Sequence, residues 1–151
     1  MLRFLRYYLP PLLLAAIILS AANDRLSSEE TGQTLVSIFG AFFRASLHPD
    51  AYEALNYLMR KTAHLTEYGI LAALAFRALR AERSGWQFAW AAGALAYVIA
   101  VASADEWLQS HTRLRTGTPV DVVVDACGAT LALLIIRNSL RKEAAVNRAL
   151  H

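Results

Sequence analysis

Residues Trp86–Glu106 read WQFAWAAGALAYVIAVASADE, and between Trp86 and Ser103 only Gln87 and Ser103 are plainly polar. A helix of a soluble bundle keeps one polar face, and this stretch has none. Its length is close to the roughly 20 residues, at about 1.5 Å rise each, that cross a hydrocarbon core about 30 Å thick. It is a membrane span, and it ends on two carboxylates.

Three further apolar runs flank it, Tyr7 to Ala22, Ala63 to Leu79 and Val120 to Ile136, beside the run Trp86 to Ala104. With 56% apolar residues in 151, the chain reads as one all-α domain over residues 1–151, a polytopic membrane protein with four transmembrane helices. The runs are slightly short, so flanking Arg and Lys side chains are expected to snorkel. Arg3 and Arg6 ahead of the first run, with Ser20-Ala21-Ala22 after it, imitate a signal peptide. The three spans that follow favour an uncleaved first helix.

Charge sets the orientation. With the N-terminus inside, the inner side holds Arg3, Arg6, Arg77, Arg80, Arg83, Arg137, Arg141, Lys142 and Arg148. Of the acids, only Glu82 and Glu143 fall there. The positive-inside rule therefore gives N-in and C-in. The net charge of +3 averages a basic inner rim and an acidic outer half. It suits an anionic leaflet, and points to membrane lipid rather than nucleic acid as partner. Nothing in the sequence sets an oligomeric state.

The connection between spans one and two carries an amphipathic helix at about 29–47. Ser27-Ser28-Glu29-Glu30 supplies its start, and Leu35, Ile38, Phe39, Phe42, Phe43 and Leu47 share one face, to lie in the outer interface or cover the bundle as a lid. Pro49 with Asp50 and Glu53 starts another helix, with no breaker before Gly69, so it is expected to run on into span two. Ala81–Gly85 is a tight inner turn, and Pro119 suits the first position of helix four. Ala89 with Gly93, and Gly128 with Ala132, are spaced for close helix packing, or simply reflect an alanine-rich chain. Trp86 and Trp107 fall near the two interfaces. Cys127, the single cysteine, reads as a small buried packing residue.

Polar residues interrupt these spans, at a cost of several kcal/mol for each ionisable side chain in hydrocarbon (roughly 2.5–3.5 on insertion scales). Lys61, His64 and Tyr68 are spaced i, i+3, i+7, with Glu67 three residues past His64; Asp105 and Gln109, and Asp121 and Asp125, are i, i+4 pairs. At about 1.5 Å per residue, Glu67 lies about 20 Å up from Arg80 and Asp125 about 22 Å up from Leu140. Asp105, Glu106 and Asp121 fall at the outer rim. Together they predict a polar funnel opening outward, its side chains facing protein or water.

Arg60-Lys61-x-x-His64-x-x-Glu67-Tyr68, then Asp105-Glu106-x-x-Gln109 with Arg113, then Asp121-x-x-x-Asp125-x-x-Gly128, resembles the VanZ-like family. The resemblance runs from about Arg60 to Ile136. It implies a small bacterial protein of the cytoplasmic membrane, in a family whose founding member is linked to low-level resistance to the glycopeptide teicoplanin. It implies no particular reaction.

Four readings of the cluster compete. In the first, Lys61, Arg113 and Arg115 neutralise Asp105, Glu106, Asp121 and Asp125 and clamp the helix ends, in a structural or partner protein without enzymatic activity. The second makes the cluster a site for an anionic lipid-linked or cell-wall-related ligand, bound through Lys61, His64, Tyr68, Glu106, Gln109, Arg113 and Asp121. The third is an enzyme on such a lipid, with His64, Glu67, Asp105 and Asp125 as candidate catalytic groups; no serine or cysteine motif supports a covalent route. A metal site is the fourth, built on His64-x-x-Glu67 and the nearby acids, and Lys61 argues against it. We expect no metal and no cofactor. Whether chemistry follows binding is left open.

Overall fold

The structure is a computed structural model and describes residues 1–22, 48–111 and 118–149. The amphipathic helix expected at about 29–47, and Arg113 and Arg115, lie outside the described residues. Every regular element among the described residues is helical. They are α1 (Leu9–Ala21, entered through a π turn at Phe4–Tyr8), α2 (Pro49–Arg80), α3 (Phe88–Ser110) and α4 (Pro119–Ala149).

The π turn has a visible cause. Pro10 and Pro11 lack the N–H groups that would bond the Arg6 and Tyr7 carbonyls, and a proline ring clashes with the carbonyl four residues back. The turn widens, and the Leu9 N–H reaches the Phe4 carbonyl instead. Pro49 stands at the first position of α2 with Asp50 in its first turn, and the helix runs unbroken for 32 residues as expected. The turn between α2 and α3 is strained at Ala81 (φ 49°) and relaxed at Gly85 (φ 79°), where no Cβ opposes a positive φ. α3 starts at Phe88, which leaves Trp86 in the turn, stacked on Phe76 with ring centroids 4.9 Å apart.

Contacts at each level give the directions of the helices. Gly93 meets Leu79 at one end and Tyr68 meets Asp105 at the other, so α2 and α3 are antiparallel. Lys61 pairs with Asp121, His64 with Asp125, and Gly69 faces Gly128 and Ala132, so α2 and α4 run parallel, side by side. Tyr97 Oη donates to the Pro11 carbonyl at 3.1 Å, while Arg3 pairs with Glu82 at 2.8 Å. α1 therefore runs with α3 and against α2.

Among the described residues, three helices are long and apolar enough to cross a membrane: Phe4–Ala21, Phe88–Ser110 and Pro119–Ala149. α2 falls outside that set because Lys61, His64 and Glu67 interrupt its apolar surface. Leu12, Leu13, Ile17, Ile99, Leu134 and Ile135 are exposed, an outward apolar surface that a water-soluble bundle would not tolerate. Inside, Tyr68, Leu71, Phe76 and Val98 fill the core. With lipid outside, association rests on packing and interhelical hydrogen bonds rather than on the hydrophobic effect.

α2 and α4 approach each other closely at their backbones. A Cβ on Gly128 would fall onto the Leu65 carbonyl oxygen and within 2.9 Å of Leu65 Cα; one on Gly69 would stand 3.3 Å from the Gly128 oxygen. Cys127, expected to be buried, is exposed instead, because Gly128 and Ala129 take the inner face of that turn.

Candidate functional site

The Gly69–Gly128 crossing brings the polar stripes of α2 and α4 into register, and α3 closes the third side. At the rim, Lys61 Nζ donates to Asp121 Oδ1, both side chains mostly buried (16% and 17% exposed). One helical turn further in, His64 Nδ1 lies 3.4 Å from Asp125 Oδ1. Below that, Tyr68 Oη donates to Asp105 Oδ2 at 3.0 Å, and Gln109 Nε2 donates to the same oxygen at 3.0 Å. The His64 and Tyr68 rings lie nearly parallel, 6.2 Å apart, and join the two levels. The i, i+3, i+7 spacing of Lys61, His64 and Tyr68 thus becomes a ladder of three polar contacts along α2.

Glu106 serves a different purpose. Its Oε2 accepts from the Thr118 backbone N–H at 2.7 Å, which ties the end of α3 to the start of α4. An amide just ahead of a helix is one of its orphan donors, so this carboxylate caps α4 from another helix. Thr118 was not singled out in the sequence, where a backbone donor leaves no side-chain signature. Gly69 was missed for a related reason: its partner spacing exists only once α2 and α4 are side by side.

Glu67 stands apart from the ladder. It stands three residues past His64, on the same broad face of the helix. Yet Glu67 makes no side-chain hydrogen bond or ion pair among the described residues, and it lines a groove of about 610 Å³ between α1 and α2, with Leu14, Met59, Thr66 and Ile70. The structure therefore gathers Lys61, His64, Tyr68, Asp105, Gln109, Asp121 and Asp125 on one side of α2, and turns Glu67 toward the next. Among the described residues no three His, Cys, Asp or Glu side chains gather closely enough to hold a metal.

Satisfaction is uneven. Asp125 is fully buried (0% exposed), and neither of its oxygens has a hydrogen-bond partner; His64 Nδ1 is likewise unbonded. At 3.4 Å the two groups are close enough to attract but not aligned as a hydrogen bond. A buried polar group without a partner costs about 1–3 kcal/mol, and more when charged. Asp105, one turn deeper, has two donors on one oxygen. The cluster thus contains a satisfied half that fixes the helices and a largely buried pair, His64 and Asp125, that attract each other without a hydrogen bond.

A family model described as VanZ/LLP1 matches residues 7–141 of the chain. No curated protein and no solved structure matches it.

Proposed function

The chain belongs to the VanZ/LLP1 family, and from that membership we propose that it is a four-span protein of the bacterial cytoplasmic membrane that binds a polar, lipid-linked or wall-related ligand at its outer face and so alters sensitivity to glycopeptides. α1 and α3 run the same way and each is apolar enough to cross, so the chain returns between them, and α2 supplies the return. The basic residues around the α2–α3 turn favour that end as the cytoplasmic one.

The orphaned Asp125 carboxylate beside His64 is the observation that carries the binding reading. Of the expected anion receptors, Lys61 is engaged by Asp121 and Arg113 lies outside the described residues, while Asp105, Glu106, Asp121 and Asp125 make the cluster acid-rich. Such a cluster suits the part of a ligand that donates, a hydroxyl or an ammonium group, met by Asp125 with His64 as the second contact. Binding energy would come from satisfying groups already desolvated, as in sites that reject analogues lacking one donor.

The clamp reading has its own support in the Lys61–Asp121 pair and in Glu106 holding the Thr118 amide. The two readings separate by mutation. His64→Gln and Asp125→Asn are expected to abolish the change in teicoplanin sensitivity in an expressing host while the amount of folded, membrane-inserted protein stays at the wild-type level. If the phenotype is lost only in proportion to folded protein, the cluster is a clamp and the binding proposal fails.

A further inference from the structure

At the other end of the bundle, two arginines converge on one aromatic ring. Arg6 Cζ lies 5.3 Å and Arg77 Cζ 5.6 Å from the centroid of Tyr7, whose side chain is buried. The arrangement originates in sequence. Pro10 and Pro11 impose the π turn over Phe4–Tyr8, and single π turns in helices are frequently tied to function. The turn leaves the Arg6 and Tyr7 carbonyls without their helical donors and brings the Arg6 side chain onto the ring that Arg77 of α2 also meets. Arg3, one turn earlier, pairs with Glu82 at 2.8 Å and pins this end of α1 to the α2–α3 turn.

Neither Arg6 nor Arg77 has an ion-pair partner among the described residues, and Glu82 of the α2–α3 turn is engaged by Arg3. Each guanidinium is held by the ring face through cation–π attraction, which leaves its N–H fork free for an anion. Both lie at the end of the bundle where the apolar stretch Phe4–Ala21 begins.

We infer that Arg6 and Arg77, positioned by Tyr7, form a binding site for the phosphate of an anionic phospholipid in the leaflet at this end. Guanidinium forks match phosphate oxygens in pairs, and the ring fixes them in advance, so little side-chain entropy is lost on binding. The acyl chains of the lipid would lie along the exposed apolar surface of α1, at Leu12, Leu13 and Ile17. The site is independent of the cluster at the opposite end.

The test is lipid binding by the full chain, purified in a neutral detergent and titrated with phosphatidylglycerol, with phosphatidylcholine as reference. Arg6→Gln and Arg77→Gln are each expected to weaken phosphatidylglycerol binding about fivefold, as one basic residue near a membrane surface is worth about 1 kcal/mol. Tyr7→Leu, which keeps both charges, should weaken it as well. Arg141→Gln with Lys142→Gln removes two charges from the same end without touching the ring and should change little. Equal losses in this control and in the Arg6/Arg77 double variant would mean diffuse charge attraction and overturn the site. Displacement by glycerol phosphate, which has the head group but no chains, would make the ligand a soluble phosphoester and overturn the lipid assignment. Arg6→Gln alone, at an exposed position, reads the effect if the double variant fails to insert.

Discussion

Asp125 and Asp105 are two buried carboxylates on neighbouring helices with opposite situations. Asp105 receives hydrogen bonds from Tyr68 and Gln109, both at 3.0 Å, whereas Asp125 receives none. Removing a donor from the first should therefore destabilise the bundle. Interhelical hydrogen bonds in membranes average about 0.6 kcal/mol and reach about 1.7, so Tyr68→Phe is expected to cost an amount in that range in reversible unfolding in mixed micelles. Asp125→Asn replaces a buried carboxylate that accepts no hydrogen bond, and stability should stay level or rise. A side chain retained at the expense of stability fits a role in binding. A clear loss of stability in Asp125→Asn would instead make that carboxylate a structural partner of His64. The identities and spacings of these residues were legible in the sequence, because i, i+3 and i, i+4 stripes follow from helical geometry alone. Their division into satisfied and orphaned was not, since it depends on which helix each stripe meets.

The α2–α4 pair is the element on which the cluster depends. Gly128 admits the Leu65 backbone, and this contact sets how closely the Lys61–Asp121 and His64–Asp125 pairs can approach. Gly128→Ala would push a methyl into a backbone that cannot rotate away, and overpacking of this kind costs about 1–3 kcal/mol or more. Gly69→Ala meets its neighbours at 3.3 and 3.6 Å and should cost less. Unfolding measurements on the two variants should give that order, with both pairs weakened in Gly128→Ala; the reverse order would contradict this packing. The spacing of Gly128 and Ala132 marked the close face in advance. Gly69 was not marked, because a lone glycine in a helix has no periodicity to reveal it. The exposed side of Cys127 was misread for the same reason: in an apolar helix within lipid, hydropathy does not tell the buried face from the lipid face.

Across the whole molecule, α2 is the helix with the least apolar sequence and the most of the cluster. Its parallel alignment with α4 and antiparallel alignment with α3 support the proposal that it is the fourth crossing helix. In a Cys127→Ser background, His48→Cys and Ser84→Cys flank α2, and an impermeant maleimide is expected to reach them from opposite sides of the membrane. Labelling from one side would place α2 on the surface and remove the fourth span. By itself the sequence determined an all-helical, lipid-embedded chain and a set of polar stripes within it, because apolar length and helical period are local properties that survive without knowledge of neighbours. Only the tertiary structure decided which stripes face each other, that Glu67 turns to a groove while Asp125 is sealed without a hydrogen bond, and that Arg6 and Arg77 share one ring. Those outcomes depend on helix direction, rotation and close approach, and they are set by contacts between residues far apart in the chain.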